Sequence, residues 1–150
     1  MKALNLTQHT ATPEQKLAGV IDLPEYLRKE LIEYITFEEI PSPKAMEELA
    51  AKVAKLYERA YSVISNDGVI PLGSFAMVGG APYFQRYLED ALRRIGVEPL
   101  HAFSVRESAD QPQNDGTMKK VAVFRHAGWV TTSQEVYEFL QQSAGGLRKG

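Results

Sequence analysis

The sequence predicts an α/β protein with a three-layer arrangement, its sheet mostly parallel with one antiparallel hairpin strand. Three observations carry this reading. Apolar runs of strand length alternate along the chain with segments of helical apolar periodicity. The stretch Ala76-Met77-Val78-Gly79-Gly80-Ala81-Pro82-Tyr83 reads as a buried strand that runs into two glycines and then a proline-led helix. The last two strand-like runs are joined by a polar segment holding an Asn114-Asp115-Gly116 turn, as in a long-looped hairpin.

Each element has its own signal. Lys2 to Thr7 sets Leu4 and Leu6 against Ala3, Asn5 and Thr7 and forms the first strand. Thr12-Pro13-Glu14-Gln15 supplies an N-cap, a proline at the first helical position and the Gln of a capping box, and Gly19 ends this short helix. A second helix runs from Pro24 to about Ile35, with Leu27, Leu31, Ile32 and Ile35 on one face. Pro41-Ser42-Pro43 breaks the chain and opens a third, on which Leu49, Val53, Leu56 and Ala60 face inward and Glu47, Glu48, Lys52 and Lys55 outward. Asn66-Asp67-Gly68 is a turn.

Val69 to Val78 is interrupted by Pro71, Gly73 and Ser74, so the second strand is its latter half. The helix after Gly80 carries Phe84, Leu88, Ala91, Leu92 and Ile95 and stops at Gly96. Glu98 to Arg106 and Met118 to His126 are the third and fourth strands, with a polar loop from Glu107 to Thr117 between them. Ser133 to Gln142 forms the last helix, with Val136, Phe139 and Leu140 inward. Right-handed crossovers make the first three strands mostly parallel and the fourth antiparallel. One domain over 1–150 is expected, with a helical insert at 24–65 and a frayed tail at 145–150.

Composition narrows the function classes. Of 150 residues, 44% are hydrophobic and 24% charged, as in soluble globular proteins. No apolar run reaches the roughly 18 residues of a membrane span. Ala3-Leu4-Asn5-Leu6 lacks the basic region and long apolar core of a signal peptide, so the expected location is the cytoplasm. The absence of cysteine rules out disulfides, thiolate metal sites and a cysteine nucleophile. A net charge of −2 with dispersed basic residues argues against a duplex-DNA binder but leaves a small nucleotide open.

In an open parallel sheet, ligands collect beyond the carboxyl ends of the strands. Three segments are expected there: Thr7-Gln8-His9-Thr10, Gly79-Gly80 and Ser104-Val105-Arg106-Glu107, joined by Lys119-Lys120 from the returning strand. Hydroxyls, an amide, an imidazole, backbone N–H groups, a guanidinium and amines suit phosphate and base recognition better than acyl transfer. Simpler readings stand beside these. Thr7 and Gln8 also serve as caps, His9 as a surface histidine, Gly79-Gly80 as close packing, and Arg106 with Glu107 as a surface ion pair.

The glycines match neither a dinucleotide fingerprint nor a P-loop. Arg125-His126-Ala127-Gly128 is similar to the Arg-His-Gly signature of histidine phosphatases but closes the fourth strand instead of following the first, and is set aside. His9, His101 and His126 are scattered, so no metal site and no cofactor is expected. Tyr57, Tyr61, Tyr83 and Tyr87 fit half-buried core packing more simply than a stacking platform.

Asn5-Leu6-Thr7-Gln8-His9 followed by Ala11-Thr12-Pro13-Glu14-Gln15 resembles the opening of small CRISPR-associated proteins with a CARF-like Rossmann fold. Some of these are ring nucleases acting on cyclic oligoadenylate. The resemblance implies a Rossmann-like homodimer that binds the ring across its two-fold axis and cleaves it without metal, the ribose 2′-hydroxyl attacking the adjacent phosphate. In that frame His9 is the general acid or base, Arg106 and Lys120 stabilise phosphate, and Gly79 and Gly80 donate backbone N–H groups. Thr7, Gln8, Thr10 and Ser104 contact ribose or base, and the Glu107–Thr117 loop closes over the ligand. The helices at 24–65 have no equivalent in the matched motif. A nucleotide sensor that binds without cleaving and a ligand-free interaction protein of phage or mobile-element type remain the alternatives.

Overall fold

Leu4 on a buried three-residue strand, and Leu6 just past its end, anchor the core of the first half of the chain. In the computed structural model, which describes residues 1–145, this strand is β1 (Ala3–Asn5). It is followed by α1 (Pro13–Leu17), β2 (Val20–Ile21), α2 (Glu25–Ile35), α3 (Pro43–Ile64), β3 (Ser74–Val78) and α4 (Pro82–Arg94). Then come β4 (Val97–Pro112), β5 (Met118–Val130) and α5 (Gln134–Gly145). Apart from residue 145, the expected frayed tail lies outside the described residues.

The five strands lie in the order β2-β1-β3-β4-β5. The first four are parallel, with Leu4 level with Ile21 and Ala76, and Ala76 level with Pro99. β5 returns antiparallel to β4. The fold is therefore the α/β class expected, Rossmann-like, with helices flanking a mostly parallel sheet. β2 is a strand that the sequence reading lacked, since two residues carry no periodicity to detect.

Two compact units divide the chain, Met1–His101 and Ala102–Gly150. In the first, Leu4, Leu6, Ala76, Val78 and Val97 form one face of the sheet. They share a core with Leu27, Leu31 and Ile35 of α2, Val53, Leu56, Tyr57 and Ala60 of α3, and Phe84, Leu88 and Leu92 of α4. The helices expected as an insert at 24–65 thus supply much of this core. Ala3, Asn5, Val20, Phe75, Met77 and Leu100 of the other face are buried too, which is why these strands read as continuous apolar runs. On the outside of α2 and α3, Arg59 and the Tyr34 hydroxyl bind the Glu30 carboxylate and hold it below the usual carboxylate range. Such an exposed pair contributes little stability.

In the second unit β4 and β5 form a long hairpin. The segment expected as a loop from Glu107 to Thr117 is strand as far as Pro112, and only Gln113 to Thr117 turns the chain. There Gln113 N–H donates to Thr117 O at 2.8 Å, and Asp115 Oδ1 accepts from Thr117 N–H at 2.9 Å. A polar strand segment exposed along nearly its whole length resembles a loop in composition, so sequence alone read Glu107–Pro112 as part of a loop. Most of Glu107–Thr117 is committed to a β ladder instead.

Tyr57 gives a measurable handle on the core. Its ring is fully buried and its hydroxyl donates to Phe75 O at 3.2 Å, a cross-layer bond between α3 and β3. Burial pushes its phenol up to about 12. Tyr57→Phe is expected to cost about 1 kcal/mol at neutral pH in urea unfolding. Because the folded pKa lies above the unfolded value of about 10, wild type loses stability as pH rises from about 10 to about 12, and the variant should lack that component.

Candidate functional site

The order β2-β1-β3-β4 puts β2 on one side of β1 and β3 on the other, so the chain changes winding direction between β1 and β3. Crevices at such switch points, outside the carboxyl ends of the strands, are where open α/β sheets bind ligands. Two segments leave the sheet there: Leu6 to Thr12 after β1, and Gly79 to Ala81 after β3. They begin side by side, since Leu6 N–H donates to Met77 O at 2.8 Å.

The first segment is held by side chains that the sequence reading did not single out. Asn5, the last residue of β1, is only 4% exposed. Its Nδ2 donates to His9 O at 2.7 Å and to Asp22 Oδ1 at 2.8 Å. Its Oδ1 accepts from the Thr7 N–H at 2.9 Å and the Thr7 hydroxyl at 2.7 Å. Asp22 Oδ1 also accepts from Ala11 N–H at 2.9 Å. From α2, Arg28 Nη2 donates to Gln8 O at 2.8 Å. The Asn5 side chain thus ties the end of β1, Thr7, His9 and Asp22 into one part-buried polar network that holds the segment.

This arrangement decides between readings for several residues. The Thr7 hydroxyl is engaged inside the network, and Gln8 Nε2 donates to Thr36 Oγ1 at 3.1 Å. Both side chains therefore have structural work, Thr7 at the strand end and Gln8 at Thr36, the C-cap of α2, and not at the Thr12 helix. His9 and Thr10 are exposed, and the network uses only the backbone carbonyl of His9, leaving its imidazole on the surface. With the Gln8 and His9 carbonyls bound, the backbone N–H groups of Gln8, His9 and Thr10 have no acceptor among the described residues.

The second segment turns at Gly80, whose φ of +102° falls where L side chains are strained, so the turn requires glycine. Gly79 has ordinary room: a Cβ there would lie 3.6 Å from Thr7 Cγ2, a contact that also shows how near the two segments are. Ala81 then leads into α4 with no side-chain cap, and Pro82 takes the first helical position. Gln85 Nε2 reaches back to Gly79 O at 3.0 Å and Ala81 O at 3.3 Å and fixes the turn.

The remaining predicted residues lie in the second unit. Ser104, Arg106 and Lys120 are exposed on the hairpin. Arg106 stands six residues before Pro112, the end of β4, while Lys120 stands two after Met118, the start of β5. At about 3.3 Å per residue they are separated by roughly 13 Å along the ribbon. A groove of about 620 Å³ between α3 and α4, lined by Lys55, Glu58, Arg86, Asp90 and Arg94 among others, holds none of the predicted site residues. Among the described residues no helix is long and apolar enough to cross a membrane.

A family profile for the uncharacterized protein MJ1673 family matches residues 1–130. The chain belongs to that family. The match takes in β1 through β5, so both switch-point segments and the hairpin fall within what the MJ1673 family shares, while α5 lies beyond it. No curated protein and no solved structure matches the chain. The residues that sequence reasoning missed, Asn5, Asp22, Arg28 and Gln85, act on backbone groups. The one signal for them was a polar residue, Asn5, closing an otherwise apolar strand.

Proposed function

We propose that this protein binds a cyclic oligonucleotide, of the cyclic oligoadenylate class, at the β1/β3 switch point and opens the ring by metal-independent phosphodiester transfer. The observation that supports the reading is the Asn5-held segment: its backbone N–H groups at Gln8 to Thr10 have no acceptor among the described residues, and its start at Thr7 lies against the Gly79–Gly80 turn that leads into α4. Backbone donors fixed before the ligand arrives stabilise phosphate charge without reorganisation. The ligand class comes from the resemblance of Asn5–His9 and Ala11–Gln15 to the opening of small CARF-like proteins, some of them ring nucleases.

In the reaction, a ribose 2′-oxygen attacks the adjacent phosphorus and the bond to the 5′-oxygen breaks. The products are a 2′,3′-cyclic phosphate and a 5′-hydroxyl. The 2′-proton leaves to a base, and the 5′-oxygen takes up a proton from an acid. His9, exposed at the tip of the segment, is the group proposed for one of these transfers. A homodimer with the ring across its two-fold axis completes the proposal.

Thermal shift with cyclic tri-, tetra- and hexa-adenylate and with mononucleotides tests binding, because a ligand that prefers the folded state raises the melting temperature. A rise of several degrees with at least one cyclic adenylate is expected. No shift with any nucleotide overturns the reading and leaves an interaction protein. Incubation of labelled ring with EDTA then separates cleavage from sensing: linear product supports the nuclease, and intact ring identifies a sensor.

A further inference from the structure

Tyr83 was expected to be half-buried, and the structure leaves it 54% exposed at the second position of α4, three residues after Gly80. It is braced all the same. Phe37 meets its ring edge-on, with centroids 5.6 Å apart and planes at 67°. Phe37 in turn meets the fully buried Phe84 at 5.2 Å and 63°. Phe37 follows Thr36, the residue that accepts the Gln8 side-chain hydrogen bond. The ring is thus tied through one chain of contacts to the core and through another to the Asn5-held segment. An exposed tyrosine at a helix start is ordinary. One supported from the core, three residues past the Gly80 turn at the switch point, has the form of a stacking surface.

We infer that Tyr83 is the platform on which a nucleobase of the ligand stacks, with the Phe37 ring as its support. The inference rests on the nucleotide-binding reading above and adds which part of the ligand is recognised and by what. A ring already immobilised by Phe37 loses little freedom on binding. Stacking uses the face of the ring and not its hydroxyl, and it tolerates any base.

The test is isothermal titration of the full chain and of Tyr83→Phe and Tyr83→Ala. The probes are cyclic tri-, tetra- and hexa-adenylate, AMP and ribose 5-phosphate, the last two differing only in the base. Tyr83→Ala is expected to weaken the base-bearing probes about 10- to 100-fold and to leave ribose 5-phosphate unchanged. Tyr83→Phe should bind all probes as wild type does. Melting temperatures without ligand should agree among the three proteins, which removes a purely structural explanation. If Tyr83→Ala binds the base-bearing probes within two-fold of wild type, the stacking role falls while the nucleotide site stands. If wild type binds none of the probes, the nucleotide-binding reading itself fails and this inference goes with it.

Discussion

His9→Ala will reduce ring cleavage by about 100-fold or more while leaving both folding and ring affinity close to wild type. The magnitude follows from the usual contribution of a positioned acid or base, about 10²- to 10⁴-fold. The separation of rate from affinity follows from where the residue sits. The network on which the segment depends holds the His9 carbonyl through Asn5 Nδ2 at 2.7 Å, and alanine keeps that carbonyl. Its imidazole is exposed, so truncation opens no cavity in the core. Single-turnover cleavage of labelled ring, read beside titration calorimetry of the same variant, gives both quantities. A rate within three-fold of wild type would remove His9 from the chemistry. A parallel loss of affinity and rate would make it a binding residue instead.

Much of the fold was legible because its signals are local. Thr12, Pro13 and Gln15 form the capping box that their spacing predicts, with Gln15 N–H donating to Thr12 Oγ at 3.1 Å and the Gln15 side chain accepting from Thr12 N–H at 3.0 Å. Ser42 caps α3, and Gly96, with φ of +82°, ends α4. What was not legible is what depends on a neighbour in space. β2 is a strand only because Ala3 and Leu4 lie beside Val20 and Ile21. β4 continues past Arg106 because β5 pairs with it, although the residues from Glu107 onward are polar and flank a proline.

The same division runs through the candidate site. The strand end after Asn5 and the Gly79–Gly80 turn that frame it are marked in the sequence. The roles within it are not. Thr7 and Gln8 were candidates for ligand contact on residue type alone, and the structure also gives the Thr7 hydroxyl a bond to Asn5 and the Gln8 amide N–H a bond to Thr36. Tyr83 and Tyr87 share one helical spacing, yet Tyr87 is partly buried a turn further into the helix whereas Tyr83, at its second position, is 54% exposed. Periodicity assigns a face of a helix but not the depth of its first residues, where the neighbouring element ends.

Asn5→Ala should be the most destabilising polar substitution in the first unit, lowering unfolding free energy by about 3 kcal/mol. The variant deletes both the acceptor of two Thr7 bonds and the donor to His9 O and Asp22. Each buried group left without a partner costs about 1–3 kcal/mol, partly relieved where the segment can reach water. For a chain of this size the loss corresponds to a melting temperature lower by roughly 6–12 °C. Asn5→Asp separates shape from hydrogen bonding. It keeps the acceptor for Thr7 but turns a carboxylate oxygen toward the His9 carbonyl and the Asp22 carboxylate. Burial and like charge would raise the pKa of that introduced carboxyl above its unfolded value of about 3.9. A raised folded pKa contributes stability below the unfolded value and loses it as pH climbs through the folded one. Asn5→Asp should therefore approach wild-type stability near pH 4 and fall away from it toward pH 7, whereas the Asn5→Ala deficit stays nearly constant. Urea unfolding at both pH values distinguishes the two. A deficit under about 1 kcal/mol for Asn5→Ala would mean that the segment holds its shape without Asn5. The unbonded N–H groups of Gln8, His9 and Thr10 would then lack the rigid support on which phosphate binding at the switch point depends.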